Sequence, residues 1–399
     1  MKVQAPWSRK ADNMSIISLD KEFVAPTYGR FPVELVSGKG CLLTGSDSKQ
    51  YIDLTSGIGV NALGVADEAW IAAVTAQLGQ LQHCSNLYYA SPCAKLAQLL
   101  CERTGMKKVF FSNSGAESNE CAIKYARKYS QDKKGPQYST IITLKNSFHG
   151  RTLTTLAATG QDHFHGLFQP LTPGFVHVAA GDIEGLKELV DTLPVAGIMM
   201  ECVQGEGGVV PLSREFVTAA AELCAKNDIP LMIDEVQTGN GRTGKLYSYM
   251  HYGIQPDIVS TAKGLGGGLP IGATLLGEKV QDVRGPGDHG STYGGNPVCS
   301  AGALSILQRL DDKLFAEVKE KSDYIFAAFA DAEGVESVTG MGLMIGIKPV
   351  KNNKEIVAKC IENGVLCLTA KDKIRLLPAL NIPMEQLRQA VEVIKQACR

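Results

Sequence analysis

The segment FFSNSGAESNE, residues 110–120, has the residue types and spacing of an anion-binding helix start. Ser114 is followed three positions later by Glu117, which is the Ser-x-x-Glu pattern of a helix capping box. Gly115 and Ala116 are then the first helical residues, and their free backbone N–H groups and small side chains favour a phosphate. An ordinary well-capped helix is the alternative that this segment leaves open.

Two further segments place an acid and an amine where strands end. Asp234 closes the apolar run LMID, so we expect a buried carboxylate that pairs with an arginine or a backbone donor, or that holds a cationic ligand. Lys263 closes another β-rich run and is followed by GLGGG. Desolvation there lowers the pKa of the lysine and makes its amine a nucleophile for carbonyl groups, whereas a lysine on a surface loop is the alternative.

These three features together meet the needs of pyridoxal phosphate. Its phosphate binds at a helix N-terminus, and its ring nitrogen needs an acid that keeps it protonated, so that the ring accepts electrons. Its aldehyde needs a lysine with which to form a Schiff base. The sequence therefore predicts a site in which Gly115 and Ala116 hold the phosphate, Asp234 the ring nitrogen and Lys263 the aldehyde.

The glycines Gly239, Gly241 and Gly244 spell G-x-G-x-x-G and favour a different interpretation, the dinucleotide site of an NAD-dependent oxidoreductase. Such a loop directly follows a strand and opens a helix. Here residues 234–237 intervene before the first glycine, and the following KLYSYMHYG has no helical apolar stripe. We therefore interpret GNGRTG as a connecting loop. A non-catalytic binding or scaffold protein with the same fold is a third alternative.

The middle of the chain alternates β-rich and helical patterns. The β-rich runs lie at 108–112, 140–144, 195–201, 229–235 and 256–263, and helical patterns at 115–129 and 214–227. This alternation is typical of an α/β fold with a mostly parallel sheet, in which ligands bind beyond the carboxyl ends of the strands. The polar residues at those ends are Ser112–Ser114, Glu201, Asp234–Gln237 and Lys263.

Both ends of the chain have a different pattern. The first fifty residues favour a small strand hairpin outside the main sheet. The last hundred favour a long helical stretch at 300–330, an irregular strand region at 335–348 and a closing amphipathic helix from Met384. A domain boundary is expected near 290–300.

Composition excludes several classes of protein. Lys and Arg number 40 against 41 Asp and Glu, and the absence of a basic block disfavours nucleic acid or an anionic membrane as a partner. The apolar runs are shorter than a membrane span, and the N-terminus has no apolar core of signal-peptide length. The 11 cysteines form no C-x-x-C pair, which favours a reducing cytoplasm. His163-x-His165 lacks acidic or cysteine partners, so we expect no metal site.

Six motifs, in order, resemble those of the class III (ω-amino) aminotransferases, which are pyridoxal-phosphate enzymes of fold type I. The resemblance is strongest to the acetylornithine aminotransferases and runs from YGRFPVEL (28–35) to IRLLPAL (374–380). The most specific motifs are FFSNSGAESNE, SFHGRT (147–152), QGEGGV (204–209), IDEVQTGNGRTG (233–244), AKGLGGGLPIGA (262–273) and HGSTYGGNP (289–297).

The resemblance implies roles for the residues around the cofactor. Lys263 is expected to form the Schiff base, Asp234 to pair with the ring nitrogen and Gln237 to lie against the ring's phenolic oxygen. Phe148 is expected to stack on the ring, and Thr292 of a neighbouring subunit to complete the phosphate site. The functional unit implied is therefore a homodimer with active sites at the subunit interface.

The resemblance also implies the substrate residues. Arg151, with Ser291 nearby, is expected to bind the carboxylate of the acetylated amino acid, and Arg375 that of the 2-oxo acid. Glu206 is expected to cover Arg375 while the ω-amine reacts. The implied reaction moves the terminal amino group of N2-acetyl-L-ornithine to 2-oxoglutarate. Users of ornithine, succinylornithine, succinyldiaminopimelate and 4-aminobutyrate share most of these motifs.

The implied fold has a large cofactor-binding domain with a mostly parallel seven-stranded sheet and a smaller α+β domain. We expect the small domain to comprise residues 1–52 and 293–399, and the large domain residues 53–292. One departure from the family lies at residues 64–69, which lack its usual Gly-His-x-His-Pro and put the local loop shape in doubt.

Overall fold

The computed structural model describes residues 15–399. Residues 1–14 of the predicted N-terminal segment lie outside the described residues. The strands are β1 (Leu35–Lys39), β2 (Leu42–Gly45), β3 (Gln50–Asp53), β4 (Lys108–Ser112), β5 (Thr140–Leu144), β6 (Phe175–Val178), β7 (Val195–Met200), β8 (Val203–Gln204), β9 (Val210–Pro211), β10 (Leu231–Asp234), β11 (Ile258–Thr261), β12 (Gly272–Leu276), β13 (Val335–Met341), β14 (Met344–Pro349), β15 (Val365–Leu366), β16 (Leu368–Ala370) and β17 (Lys373–Leu376).

The helices surround these strands. They are α1 (Ile16–Phe23), the single turn α2 (Ser56–Gly59), α3 (Glu68–Leu78), α4 (Ser91–Thr104), α5 (Gly115–Lys134), α6 (Leu153–Ala158), α7 (Ile183–Thr192), α8 (Arg214–Lys226), α9 (Pro297–Leu307), α10 (Asp312–Phe329), α11 (Asn353–Glu362) and α12 (Met384–Cys398). Within residues 15–399, no helix combines the length and apolar character needed to cross a membrane.

The central sheet has seven strands in the order β4-β12-β11-β10-β7-β5-β6. All neighbouring strands are parallel except β12, which runs antiparallel to both β4 and β11. β7, β10, β11 and β12 are buried along their whole length, as expected for apolar strands covered by helices on both faces. The predicted α/β fold with a mostly parallel seven-stranded sheet is confirmed.

The prediction of one long helical stretch at 300–330 is wrong, because this region forms two helices. The chain forms α9 and α10, separated by residues 308–311. Asp311 causes the new start, because its carboxylate accepts the Leu314 N–H at 2.9 Å as the N-cap of α10. The guanidinium of Arg103 donates to the Leu307 carbonyl at the end of α9, which satisfies a terminal acceptor there.

The two ends of the chain meet in one sheet. The predicted hairpin forms β1, β2 and β3, and β15 from the C-terminal region joins β3 in parallel. A second sheet, β13-β14-β17-β16, lies beside α10 and α11. The domain boundaries proposed at residues 52–53 and 292–293 stay a prediction.

Candidate active site

A cavity of about 620 Å³ opens at the carboxyl ends of the central strands. Residues that follow β4, β5, β7, β10 and β11 line it together, although they are spread over 150 positions of the chain. The lining includes Asn113–Ala116, Phe148–Arg151, Glu201, Asp234, Val236, Gln237 and Lys263. Parallel strands place their carboxyl ends at one edge, which is why these segments converge.

The start of α5 forms one wall of the cavity. The Ser114 hydroxyl caps the helix by accepting the Glu117 N–H at 3.2 Å, while the Glu117 carboxylate accepts the Asn113 N–H at 2.6 Å. The N–H groups of Gly115 and Ala116 belong to the first helical turn, which has no intrahelical acceptor for them. A Cβ on Gly115 would lie 2.5 Å from Val236 Cγ1, so only glycine fits this close approach.

Asp234 is buried beneath the cavity and is held by three donors. Its Oδ1 accepts the Val236 N–H at 3.0 Å, and its Oδ2 accepts the Asn119 amide and His149 Nδ1, each at 2.8 Å. No described arginine pairs with it. The carboxylate is thereby fixed at the carboxyl end of β10, with an orientation that its neighbours set.

His149 was not assigned a role from the sequence, although it lies in the motif SFHGRT. It is fully buried, and burial disfavours its charged form. The hydrogen bond to Asp234 and the charge of that carboxylate outweigh burial and raise the pKa of His149. Glu201 lies nearby, and burial raises its pKa to about 7, while the charge of His149 opposes that shift. Two acids and an imidazole therefore share a desolvated region under the cavity.

Lys263 lines the cavity at the end of β11 and does not lie on an outer loop. Its Nζ makes no hydrogen bond or ion pair with any residue of the described chain. Desolvation lowers its pKa, although the Glu206 carboxylate acts in the opposite direction. Its backbone has φ of 43°, in the left-handed region that residues other than glycine rarely adopt. Such strain is characteristic of residues held in place for chemistry.

Gln237, Glu206 and Arg375 form a connected group behind this lysine. Arg375 Nη1 donates to Glu206 Oε1 at 2.5 Å and to Gln237 Oε1 at 3.3 Å. Burial raises the pKa of Glu206, but the charge and hydrogen bond of Arg375 outweigh it and lower the pKa overall. Arg375 is itself buried, and its Nε has no partner among the described residues. The Glu206 carboxylate therefore occupies one face of the Arg375 guanidinium.

Arg151 lines the cavity, which Glu206 and Arg375 do not, and it is exposed with no carboxylate partner among residues 15–399. Its guanidinium carbon lies 4.0 Å from the ring centroid of Phe164 and 5.4 Å from that of Phe148. The two arginines therefore differ: one is masked by an acid, and the other is free.

Ser291 and Thr292 line a separate cavity of about 300 Å³ on the other side of Asn113. The Ser291 hydroxyl accepts from the Asn113 amide at 3.2 Å. A single chain therefore brings neither residue into the cavity that holds Arg151 and Lys263.

Residues 64–69, where the family motif is missing, do not line the cavity. Asp67 there caps α3 by accepting the Trp70 N–H at 2.9 Å, and it pairs with Arg309 at 2.8 Å. The loop thus ends in a helix cap, outside the lining of the candidate active site.

The loop GNGRTG is buried inside the protein. Arg242 in it donates to the carbonyls of Leu343 and Pro378, and a Cβ on Gly241 would lie 2.8 Å from Leu380. The next element is a 3-10 turn at Ser248–His251. A dinucleotide has no access to this loop, in agreement with its interpretation as a connection.

Comparison with known proteins identifies the family. The model described as "Aminotransferase class-III" matches residues 23–398. This chain belongs to the class III aminotransferases. It is 50% identical over 383 residues to an acetylornithine aminotransferase of Haemophilus ducreyi, covering 96% of this chain and 98% of that protein. Another acetylornithine aminotransferase, from Aquifex aeolicus, is 44% identical over 377 residues, covering 94% and 99% of the two chains.

Solved structures of two aminotransferases share the fold. The ornithine aminotransferase of Toxoplasma gondii superposes with a TM-score of 0.92 at 29% identity, covering 96% of this chain and 94% of that one. The N-acetylornithine aminotransferase of Stenotrophomonas maltophilia gives a TM-score of 0.83 at 34% identity, covering 96% and 98%. The chain is thus a pyridoxal-phosphate-dependent transaminase of fold type I, whose substrates are an amino donor and a 2-oxo acid.

The cavity of this class III aminotransferase fits pyridoxal phosphate. The N–H groups of Gly115 and Ala116 are available to a phosphate because they lie in the first turn of α5, where no intrahelical acceptor faces them. Asp234 offers a carboxyl group of fixed orientation to the ring nitrogen, and the unpaired Nζ of Lys263 offers an amine to the aldehyde. Phe148, also in the lining, offers a flat face to the ring.

Proposed function

We propose that this chain transfers the terminal amino group of N2-acetyl-L-ornithine to 2-oxoglutarate, giving N-acetyl-L-glutamate 5-semialdehyde and L-glutamate, as a step of arginine biosynthesis in the cytoplasm. The observation that carries the proposal is the pair of unequal arginines around one lysine: Arg151 is free, and Arg375 is masked by Glu206. The names of the relatives at up to 50% identity support the acetylated donor.

The two arginines suit two substrates whose carboxylates lie at different distances from the reacting carbon. Arg151 has all its N–H groups available and binds the carboxylate of the acetylated donor in a bidentate pair. Arg375 stays covered by Glu206 during that half-reaction. The α-carboxylate of an amino acid therefore does not bind to Arg375 at that stage. When Glu206 moves away, Arg375 binds the α-carboxylate of 2-oxoglutarate.

Lys263 transfers the proton at the reacting carbon. When bound, pyridoxal phosphate supplies an aldehyde that takes the amino group and a ring that stabilises negative charge on the adjacent carbon. The Nζ of Lys263, whose pKa is lowered by desolvation, accepts a proton from the amino-bearing carbon of the substrate and later returns it. The Asp234 carboxylate would hold the ring nitrogen of the bound cofactor, and Gln237 accepts a hydrogen bond from Arg375 at 3.3 Å.

We further propose a homodimer that brings Ser291 and Thr292 into the active site of the partner. Exposed Leu87, Tyr88 and Tyr89 form an apolar surface beside these residues, because the neighbouring Asn86 amide donates to the Ser291 carbonyl at 2.9 Å. Covering such a patch is the usual role of a subunit interface. Sedimentation of the wild type should give twice the monomer mass, and Tyr88→Glu should give monomers; a monomeric wild type contradicts the dimer.

A panel of ω-amino donors tests the substrate. The purified enzyme with 2-oxoglutarate should show a higher kcat/KM for N2-acetylornithine than for ornithine, N2-succinylornithine, N-succinyldiaminopimelate or 4-aminobutyrate, with glutamate formation as the readout. A higher value for any of the others overturns the choice of donor and leaves the transaminase assignment intact.

Replacing Arg151 with leucine should weaken the donor selectively. Loss of a bidentate ion pair costs about 1.5–3 kcal/mol, which corresponds to a rise of roughly 10- to 150-fold in the KM for N2-acetylornithine. The KM for 2-oxoglutarate should stay within about twofold, because that substrate uses Arg375. Equal losses for both substrates in steady-state kinetics contradict this division of roles.

A further inference from the structure

The guanidinium of Arg151 is placed by aromatic rings alone. Its carbon lies 4.0 Å from the centroid of Phe164 and 5.4 Å from that of Phe148, and within residues 15–399 its side chain makes no hydrogen bond or ion pair. The two rings meet edge to face at 6.1 Å, so they form a corner that the cation occupies. Phe164 is the closer of the two contacts.

A ring face is an unusual but suitable partner for a substrate-binding arginine. A cation over an aromatic face is attracted by the ring's quadrupole, and this contact uses none of the five N–H donors. A carboxylate partner would fix the guanidinium as well, but it would compete with the substrate, as Glu206 does at Arg375. Stacking on Phe164 therefore fixes the arginine and leaves its donors free.

Phe164 is itself held in a defined place. It ends the 3-10 turn Asp162–Phe164, and the His163 ring lies 3.8 Å from its centroid. The next residue, His165, bonds through Nε2 to the carbonyls of Thr159 and Leu156, at 2.7 and 3.1 Å, at the end of α6. These contacts explain the His163-x-His165 pair, which the sequence had left without a partner.

Arg151 and Phe164 flank the same short helix. Thr152, directly after Arg151, caps the start of α6, and the turn with Phe164 is tied to the end of α6. The backbone positions of Arg151 and Phe164 are therefore both tied to one short helix. Phe164 does not line the cavity, so any effect on the substrate must pass through the arginine.

We infer that Phe164 is a positioning residue for Arg151 and determines how well the enzyme binds the carboxylate of its amino donor. The inference rests on the proposed function of Arg151. Phe148 cannot replace Phe164 in this role, because it is farther from the cation and its ring is expected against the cofactor. Without Phe164, the arginine samples many rotamers, and each productive pairing with a carboxylate carries an added entropy cost.

The test is a comparison of Phe164→Leu, Phe164→Tyr and the control Phe168→Leu. Phe168 is an exposed phenylalanine of the same segment and makes no aromatic or cation contact in the described chain. Phe164→Leu should raise the KM for N2-acetylornithine by about 3- to 30-fold, the range expected for loss of a cation–aromatic contact. The kcat, the KM for 2-oxoglutarate and the thermal midpoint should stay near wild type, and Phe164→Tyr and Phe168→Leu should behave as wild type.

A double-mutant cycle with Arg151→Leu decides whether the effect passes through the arginine. Adding Phe164→Leu to Arg151→Leu should leave kcat/KM for the donor unchanged within about twofold. Full additivity, an equal loss for both substrates, or no change in Phe164→Leu overturns the inference. A wild type that rejects N2-acetylornithine overturns the proposed donor instead, and the same cycle with the carboxylate-bearing ω-amine that it does accept still tests Phe164.

Discussion

Replacing Lys263 with alanine is expected to lower the rate of transamination by a factor of about 10²–10⁴ or more, the range that a positioned proton-transfer group contributes. The reason is geometric. Among residues 15–399, Lys263 is the only lysine that lines the cavity, and its Nζ has no competing partner there. No other lining side chain can both bind an aldehyde and move a proton at the reacting carbon.

The fold should survive this change. The side chain of Lys263 points into open cavity space and makes no hydrogen bond that the core needs, so the thermal midpoint should shift little. Lys133→Ala is a matched control, because Lys133 is an exposed lysine on α5. Glutamate formation at the wild-type rate in the folded Lys263→Ala variant would show that another residue performs the chemistry.

Replacing Asp234 with asparagine is expected to give the second largest loss. The substitution keeps the shape but removes the charge, and its new NH₂ group faces donors, since Asn119 and His149 both point at this carboxylate. Removing one partner of a buried charged pair costs about 3–5 kcal/mol, which corresponds to about 10²–10⁴-fold in kcat/KM.

Cofactor binding gives an independent readout for Asp234. The variant should bind pyridoxal phosphate more weakly, as measured by titration of the cofactor-free protein. Asp323→Asn, at an exposed position on α10, should match the wild type in both assays. An Asp234→Asn enzyme with kcat/KM and affinity within threefold of wild type would remove Asp234 from the proposed role.

The sequence predicted the central strands well because their composition is unambiguous. The β-branched and apolar runs at 108–112 and 140–144 are flanked by polar residues, and they match β4 and β5 in both bounds. β12 was not predicted, because its GATLL is short and follows directly on a glycine-rich loop. The break between α9 and α10 did have a local signal, since an aspartate at 311 precedes the helical run.

The sequence predicted those site residues whose pattern lies within one segment. It did not predict contacts between segments that are distant in the chain. Asp234 ends a recognisable strand, Lys263 follows another by two residues, and Gly115 opens a capped helix. His149 and Phe164 have no such local signal: one acts on a carboxylate 85 residues away, and the other on a cation across α6. Glu206 and Arg375, 169 residues apart, were paired only through the family resemblance.

Trapping the cofactor on its lysine is the most direct test that Lys263 forms the Schiff base. Borohydride converts a lysine-bound pyridoxal phosphate into a stable secondary amine, which peptide mass spectrometry locates. We expect a yellow protein that loses its visible absorption on reduction and carries the added mass on Lys263, in the peptide that contains AKGLGGG. A colourless protein, or one labelled at another lysine, would contradict it.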